Sequence, residues 1–450
     1  MTSETATAMA APEPGLQRAT FPEPPRGTED PLAIHARTDL LRFCGLIAQL
    51  TAILAVFYLY DLEDPAFMLL STMLVGGFAV HYWLPFAWKE TFWLGWSLGG
   101  AYVMLDPRTA TFVLGGGLGI YGLLALPIAF RWRLGILLAV TGVLTYGRAT
   151  MSLPVPSQVW PVFGAIFMFR LMIYVYDLAH ATGRPPLRDY LRYFFLLPNY
   201  YFLLFPVIDS QTLRRSYFRR DIHVLAQQGI SWIARGAIQL LLYRLIYHWK
   251  PASNAPEDIT TFGRLTLAMV LTYMLYLRVS GHFHLIIGFL HLFGYDLPET
   301  HRRYLLAHSL TDFWRRINIY WKDFMVKLVY FPIYFRLRRS GDVRAQVIAT
   351  ILVFVVTWFL HAYQWFWLRG EFLMTWPDTL FWAILGGLVT INLLIERHRP
   401  PRRRSPGWQV KALQAAKVAG TFCLIVTLWS LWNAPSLSEW IDLVTWWRVG

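Results

Sequence analysis

The feature that most constrains this chain is a long run without charge. No Asp, Glu, Lys or Arg occurs between Ala345 and Leu368. The run can cross a bilayer as a helix, because a crossing takes ~20 apolar residues. A single histidine, His361, lies inside it. Ionisable side chains at membrane depth are expensive to keep and mark functional sites by default. His361 is therefore a candidate functional residue, with a packing role as the alternative.

The composition agrees with a chain surrounded by lipid. Hydrophobic residues make up 56% of the 450 residues and charged residues 15%. Soluble domains carry about 25% charged residues. The 21 tryptophans suit interfacial belts, where one edge of the ring stays hydrated. These values predict an all-α fold, that of a polytopic helical membrane protein.

Basic residues lie mainly in short loops between the apolar runs. The clusters are Arg131–Arg133, Arg214–Arg220, Arg336–Arg339 and Arg397–Arg404. A net charge of +14 distributed in this way follows the positive-inside pattern of membrane proteins. We therefore expect contacts with anionic membrane lipids and no nucleic-acid partner. The two cysteines, Cys44 and Cys423, lie in apolar runs and predict no disulfide framework.

The N-terminal segment, residues 1–38, differs from the rest of the chain. It is rich in Ala, Thr, Pro and Glu, and it lacks the apolar core that follows a basic start in a signal peptide. We expect a disordered tail on the cytoplasmic side. Residues 39–450 then form one membrane-embedded domain in the cell inner (plasma) membrane.

The apolar runs predict the topology. They are roughly 40–60, 66–86, 91–105, 111–130, 134–147, 158–177, 190–208, 229–247, 262–278, 282–294, 345–368, 378–395 and 411–433. With the tail inside, a crossing by 190–208 would place a basic loop outside, and Pro198 and Pro206 interrupt that run. The run 282–294 is too short to cross. We expect both to be re-entrant, which leaves about 11 spanning helices around a central tunnel.

The segment Ser309–Phe335 has the pattern of an amphipathic helix. On a helical wheel, one half is polar and the other half is filled by apolar side chains. The polar half holds Arg315, Arg316, Asn318, Lys322, Asp323 and Lys327. The segment is predicted to lie at the membrane interface, with Asp323 and Lys327 spaced to pair. Asn318 falls at the edge of the polar arc, where its side chain could point into a cavity.

Two other polar patterns favour structural roles. His282 and His284 form an HxH pair, but residues two apart on a helix point about 200° apart. We therefore expect no metal site there. Arg170, Tyr174 and Asp177 form a polar stripe on the run 158–177. An internal ion pair between helices is favoured for this stripe over contact with a substrate.

Four stretches occur in an order that is specific when they are taken together. They are SGHFHLIIGFLHLFGYDLP (Ser280–Pro298), SLTDFWRRINIYWKDFM (Ser309–Met325), FP at Phe331–Pro332, and WFLHAYQWFWLRGEF (Trp358–Phe372). In these stretches the chain resembles the membrane-bound O-acyltransferase (MBOAT) family, bacterial type. A less specific likeness covers Phe195–Asp209, and the resemblance as a whole covers residues 160–372.

The resemblance implies an acyltransferase domain over 39–450, with its core at 160–372. It maps the family's catalytic base onto His361 and the second catalytic position onto Asn318. Substrate-binding residues are expected in the same segment as Asn318, at Asp312, Trp314, Arg315, Arg316, Tyr320 and Lys322. Two departures bear on the acceptor. This chain reads FWRRIN and LHA, where members that acylate envelope polymers often read FWRRWH and WHG.

The implied reaction moves an acyl group from a thioester donor to a hydroxyl of an envelope glycan, lipid or protein. It needs a base for the hydroxyl proton, which His361 can supply, and a donor to the developing oxyanion, which the Asn318 amide can supply. A basic inner face suits an anionic co-substrate, acyl-CoA or an acyl carrier, and no tightly bound cofactor is expected. An extracytoplasmic partner protein is an expectation from the resemblance alone.

Two other functions fit part of this pattern. Broken helices with intramembrane Arg, Asp and His also occur in transporters and flippases. Those proteins often carry inverted repeats, and no repeat is visible in this sequence. A non-catalytic subunit of an envelope complex would keep the fold without needing His361.

Overall fold

The computed structural model describes residues 33–181, 186–249, 259–397 and 407–448. The structure is about 80% helical, and the described residues contain no β-strand. One isolated antiparallel bridge joins Tyr217 to Tyr295. The prediction of an all-α fold is confirmed. The predicted tail, 1–38, lies mostly outside the described residues.

The α-helices in these ranges are numbered α1 to α19 in chain order. The first ten are α1 (Leu40–Leu59), α2 (Pro65–Trp83), α3 (Phe86–Met104), α4 (Pro107–Leu124), α5 (Phe130–Thr150), α6 (Val159–Phe167), α7 (Arg170–His180), α8 (Leu187–Phe194), α9 (Ser210–Arg215) and α10 (Ile222–Trp249). The others are α11 (Phe262–Met274), α12 (Tyr276–Leu292), α13 (Leu310–Ile317), α14 (Ile319–Met325), α15 (Phe331–Leu337), α16 (Asp342–Arg369), α17 (Trp376–Arg397), α18 (Trp408–Trp432) and α19 (Leu437–Val444).

Within the described residues, 7 segments are long and apolar enough to cross a membrane. They are Leu40–Leu59, Pro65–Trp83, Val159–His180, Phe262–Leu292, Asp342–Arg369, Trp376–Arg397 and Trp408–Trp432. Apolar helices of this length are typical of multi-pass membrane proteins.

Asp-Pro pairs mark the start of helices α2 and α4. The side chains of Asp64 and Asp106 accept hydrogen bonds from backbone N–H groups three residues on, each at 3.0 Å. A proline follows each aspartate, where its fixed φ suits the first helical turn. The first N–H groups of a helix have no acceptor within the helix, and the aspartate carboxylate supplies one. The local sequence therefore sets where α2 and α4 begin.

Paired glycines bring α10 and α12 into close antiparallel contact. Gly229 lies against Gly288, and Gly236 lies against Gly281. A Cβ atom at Gly288 would lie 2.7 Å from the carbonyl oxygen of Gly229, closer than real Cβ contacts allow. In lipid, helix association rests on packing and hydrogen bonding, and small residues permit such close approach.

Contacts between distant residues define two ends of the bundle. At one end the guanidinium of Arg42, in α1, lies 3.5 Å from the ring of His223, in α10. At the other end Glu63, in the α1–α2 loop, forms a bidentate ion pair with Arg278 of α12, at 3.1 and 2.7 Å. We call these the Arg42 end and the Glu63 end. Helix α10 runs from the first to the second, and α12 runs back.

Residues 282–294, predicted as a separate re-entrant run, belong mostly to helix α12 in the structure. Only Leu275 separates α11 from α12, and together they form a 31-residue apolar stretch, Phe262–Leu292. The prediction rested on the run being too short to cross by itself. In the structure the helix continues through Ser280 and Gly281, and Gly281 is a point of contact with α10.

The run 190–208 is broken, and this interruption was predicted from its two prolines. Helix α8 ends at Phe194, and a short 3₁₀ turn, Leu197–Tyr200, follows it. Buried side chains donate hydrogen bonds to carbonyl groups of this irregular backbone. The Asn199 amide donates to the Phe194 carbonyl at 2.8 Å, and the Tyr193 hydroxyl donates to the Ile208 carbonyl at 2.7 Å. Non-helical backbone is tolerated inside an apolar bundle when its polar groups are paired in this way.

The prediction of one interfacial helix over Ser309–Phe335 is wrong. The segment forms α13, α14, a π-helical turn (Val326–Tyr330) and α15. A helical wheel assumes a continuous helix, whereas Asn318 has φ −155° and ψ 92° and breaks it. Both short helices are largely buried.

This segment enters the bundle as a hairpin. Ser309 bonds to Glu396, near the end of α17, and the Tyr334 hydroxyl bonds to Asp342, at the start of α16. Between them, the indole of Trp321 bonds to Thr357, well along α16. At 1.5 Å per residue, Thr357 lies roughly 22 Å along the helix from Asp342. The α13–α14 junction therefore lies deep in the bundle.

We expect Gly288→Ala to lower the free energy of unfolding by about 1–3 kcal/mol, because the new methyl group forces α10 and α12 apart. The measurement is thermal unfolding in detergent, followed by circular dichroism. Gly119→Ala is the matched control, since a Cβ there meets nothing within 4 Å. Equal midpoints for the two variants would contradict the role given to the glycine contact.

Candidate functional site

His361 lies on α16 with one ring nitrogen bonded and the other free. Its Nδ1 lies 2.8 Å from the Thr357 carbonyl oxygen, one turn earlier. A carbonyl can only accept, so in the neutral ring the proton is on Nδ1 and Nε2 keeps its lone pair. Within the described parts of the chain, Nε2 has no hydrogen-bond partner. The half-buried ring is therefore set up to accept a proton at Nε2.

Three indole rings from three helices surround this histidine. The ring centroids of Trp321, Trp382 and Trp432 lie 5.5, 4.7 and 5.9 Å from that of His361. They belong to α14, α17 and α18. We call these three residues the indole cage. Because its members come from different helices, packing of the whole bundle fixes the orientation of the imidazole.

A carboxylate holds two members of the cage in place. Asp378 Oδ1 accepts from the indole N–H of Trp382 at 3.2 Å and from that of Trp432 at 2.6 Å. Asp378 lies in the first turn of α17, where the helix dipole favours a negative charge. The sequence interpretation missed this residue. The i,i+4 spacing of Asp378 and Trp382 is a weak signal for part of the arrangement, and nothing local connects either residue to Trp432.

Asn318 is the junction between α13 and α14. Its Oδ1 accepts from the Trp321 backbone N–H at 3.1 Å and so caps the start of α14. This bond uses the amide oxygen and leaves the Nδ2 protons available to donate. No partner of Nδ2 is found among the residues described.

Trp321 links Asn318 to His361. Its backbone receives the cap from Asn318, and its ring lies against the imidazole. Its indole N–H also donates to the Thr357 hydroxyl at 3.4 Å, and the carbonyl of the same threonine binds His361 Nδ1. The structure thus brings the two residues predicted as catalytic into one connected group.

The loop from Tyr295 to Arg303 pairs with the junction. The Ile319 N–H donates to the Thr300 carbonyl at 2.9 Å, and the Arg302 N–H donates to the Arg316 carbonyl at 3.0 Å. The Tyr276 hydroxyl donates to the Ile317 carbonyl at 3.2 Å. These bonds satisfy the backbone where both chain segments leave helical geometry, which is a requirement inside an apolar bundle.

Two of the predicted substrate-binding residues are packed within the protein. Trp314 is 7% exposed, and its ring lies 4.6 Å from that of Phe354. Tyr320 is buried and donates from its hydroxyl to the Pro298 carbonyl at 2.9 Å. Burial raises the pKa of Tyr320 well above its usual value, so the phenol stays protonated and keeps this bond. These contacts position α13 and α14.

The charged members of that prediction are mostly paired. Arg316 binds Asp312 at 2.6 Å, and Lys322 binds Asp323 at 2.7 Å. Arg315 differs, because its buried Nε lacks a hydrogen-bond partner in the described regions. Burial lowers the pKa of Arg315, with opposing effects from Glu396 and Asp312.

Lys327 and Asp323 do not form the predicted pair. Lys327 reaches instead to Asp177 on α7, at 2.6 Å, which provides the ion pair between helices expected for the polar stripe. Arg170, from the same stripe, stacks on the Tyr193 ring at 4.5 Å. The wheel placed Asp323 and Lys327 together, but the π-helical turn that begins at Val326 changes the direction of Lys327.

His282 and His284 have different partners. His282 Nε2 lies 3.0 Å from Glu63, and His284 Nδ1 lies 2.7 Å from Gln239 on α10. Burial raises the pKa of Glu63, but hydrogen bonds with His282 and Arg278 outweigh burial and keep it below its usual value. The ionised Glu63 therefore anchors the α1–α2 loop to α12.

The chain matches no protein-family model and no curated protein. The fold and the site define it as a helical multi-pass membrane protein with a caged histidine beside a buried helix junction.

We expect Asp378→Leu to lower the free energy of unfolding by about 1–3 kcal/mol, because it leaves the indole N–H groups of buried Trp382 and half-buried Trp432 without an acceptor. Asp378→Asn keeps a carbonyl oxygen and should stay much closer to the wild type. Thermal unfolding measures the loss, and the near-ultraviolet circular dichroism of tryptophan reports the loosened cage. A leucine variant as stable as the asparagine variant would refute this account.

Proposed function

We propose that this protein is a membrane-bound O-acyltransferase, which moves an acyl group from a thioester donor to a hydroxyl acceptor. The observation that carries the proposal is the free Nε2 of His361, held in the indole cage and connected through Trp321 to Asn318. The resemblance of Ser280–Phe372 to the MBOAT family agrees with it.

The proposed chemistry is direct transfer. The acceptor hydroxyl gives its proton to His361 Nε2 as its oxygen attacks the thioester carbonyl carbon. The Asn318 Nδ2 donates to the carbonyl oxygen as negative charge develops on it. The C–S bond then breaks, an ester bond is formed, and the leaving thiolate takes the proton from the imidazolium. Neither Cys44 nor Cys423 is needed as an acyl carrier.

The proposal includes an orientation in the membrane. The basic cluster Arg214–Arg220 directly precedes the start of α10 at the Arg42 end, which we place in the cytoplasm of a plasma membrane. His361 lies eight residues before Arg369, roughly 12 Å from the other end of its helix. The donor then enters from the cytoplasm and the acceptor from the opposite side, in a bundle of about 11 crossings with a re-entrant 190–208 loop.

The acceptor in this proposal is a glycan, a lipid or a protein of the envelope, and a partner protein on the outer side could complete the transfer. Arg315, with its unpaired Nε, is the charged residue of α13 best placed to contact an anionic substrate. Arg316 and Lys322 contribute less, because each already binds a carboxylate.

We expect His361→Gln to reduce turnover by about 10²–10⁴-fold, the usual contribution of a general base. The measurement is transfer of labelled acyl groups from acyl-CoA to envelope material, with mass spectrometry of the ester formed. His248→Gln, at an exposed position, is the control. Unchanged transfer in His361→Gln would exclude the base role. Absence of ester from the wild type would favour a transporter or a non-catalytic subunit.

Asn318→Asp separates the capping role of Asn318 from its proposed catalytic role. The aspartate keeps an oxygen that caps α14 but has no N–H to donate. Its charge lies at the start of α14, where the helix dipole favours it, so the thermal midpoint should stay above that of Asn318→Ala. Turnover should fall by about 10²–10³-fold, as for loss of one oxyanion donor. Asn318→Ala should in addition destabilise the fold by about 1 kcal/mol. Normal turnover in a stable Asn318→Asp protein would limit Asn318 to a structural role.

A further inference from the structure

A polar groove of about 610 Å³ lies at the Arg42 end of the bundle, between α1 and α10. No residue of the indole cage lines it, and none of its side chains takes part in the proposed reaction. Its volume is in the range of pockets that hold small ligands. The residues that matter for its chemistry are Arg42, Gly45, Gln49, Asp221, His223 and Gln227.

The groove contains a positive and a negative side chain that approach the same imidazole nitrogen. His223 Nδ1 lies 2.9 Å from Asp221 Oδ1 and 3.5 Å from the guanidinium of Arg42. A carboxylate can only accept, so Nδ1 carries a proton and directs it at Asp221. The same nitrogen then has no lone pair for Arg42. No carboxylate of the described residues lies within ion-pair distance of Arg42, so its guanidinium keeps free donors.

The groove opens on a surface that faces lipid. Helix α1 is one of the segments apolar and long enough to cross a membrane, and only 17% of this apolar stretch is buried in the bundle. Arg42 is its one charged residue. Beside the groove, Leu41 is 84% exposed, and Val224 of α10 is also exposed. A lipid whose headgroup lies at Arg42 would therefore have apolar side chains next to its acyl chains.

Amide side chains continue the groove along the two helices. The amides of Gln49 and Gln227 exchange hydrogen bonds at 3.2 and 2.9 Å, and both residues are exposed. Gln49 also donates to the Gly45 carbonyl, which uses its second amide proton. The second amide proton of Gln227 has no acceptor in the part of the chain that is described, and hydrocarbon offers none. An ester carbonyl of a lipid would supply this acceptor.

We propose that this groove binds the headgroup of phosphatidylethanolamine from the leaflet on the Arg42 side. Phosphoethanolamine carries a phosphate and a primary ammonium joined by a short carbon linker. The phosphate accepts from the free guanidinium of Arg42, and the ammonium donates to the Asp221 carboxylate. An ester carbonyl of the lipid accepts from Gln227. The bound lipid joins α1 to α10, and the site does not depend on the proposed acyl transfer.

The test is native mass spectrometry of the full-length protein in detergent. The protein is titrated with an equimolar mixture of phosphatidylethanolamine and phosphatidylcholine that carry the same acyl chains. Both lipids have the phosphate and the esters, but the trimethylammonium of phosphatidylcholine has no N–H to donate to Asp221. The wild type should bind about threefold to fivefold more phosphatidylethanolamine, the usual scale for a part-exposed ion pair.

Two charge variants test the two ends of the headgroup separately. Asp221→Asn keeps the oxygen that caps the start of α10 but removes the charge, so the two lipids should bind within about twofold of each other. Arg42→Gln should weaken binding of both lipids by about threefold and leave their ratio as in the wild type, because both carry the phosphate.

A third variant fills the groove without changing its charge. A Cβ atom at Gly45 meets nothing within 4 Å, so Gly45→Leu places its side chain in the open space and should reduce binding of both lipids. Gly119→Leu is the matched control, because Gly119 is an exposed helical glycine of α4 where a Cβ also meets nothing within 4 Å. It should bind both lipids like the wild type. Thermal midpoints show that each variant is folded.

Three results would overturn the proposal. The first is equal binding of the two lipids by the wild type, and the second is a preference that Asp221→Asn leaves unchanged. The third is equal loss of lipid in Gly45→Leu and Gly119→Leu, which would place the lipid outside the groove. In a second titration, phosphatidylglycerol bound more tightly than phosphatidylethanolamine would show recognition of negative charge alone and exclude the role of Asp221. Lipid binding is measured without an acyl donor, so its outcome is independent of whether the protein transfers acyl groups.

Discussion

Backbone groups inside a bundle of apolar helices have no water to bond, and the candidate site depends on this constraint. The chain can leave helical geometry at Asn318 only because other groups take over the freed hydrogen bonds. The Asn318 side chain caps α14, and the loop at Thr300 and Arg302 bonds to the junction on both sides. This buried break brings the amide side chain of Asn318 into the bundle. In a continuous helix, the same position would contribute only to packing.

The orientation of the His361 ring also depends on hydrogen bonds and contacts within the bundle. One nitrogen is fixed by the carbonyl of its own helix, and the ring is fixed by indoles from three other helices. Asp378 orders two of those indoles through their N–H groups. The histidine therefore has one nitrogen with a free lone pair and one orientation. A general base needs both, because proton transfer requires hydrogen-bond geometry as well as a lone pair.

Periodicity and composition were reliable for what depends on local sequence. They predicted the all-α fold, the multi-pass membrane character, the break at 190–208 and the helix that carries His361. They failed for Ser309–Phe335 and for 282–294. In the first, a wheel cannot detect a single residue with extended dihedral angles. In the second, the run was too short to cross by itself, whereas in the structure it continues the apolar stretch that begins with α11.

The sequence by itself determined which stretches are helical and apolar, and it singled out His361, because hydropathy, proline positions and charge-free runs act over a few residues. Asn318 was predicted from the resemblance of its segment to a known family. Only the tertiary structure decided that these two residues share Trp321 as a neighbour. It also decided that Lys327 pairs with Asp177, and that Asp378 supports the cage. These contacts join positions far apart in the chain, and their geometry follows from how whole helices pack.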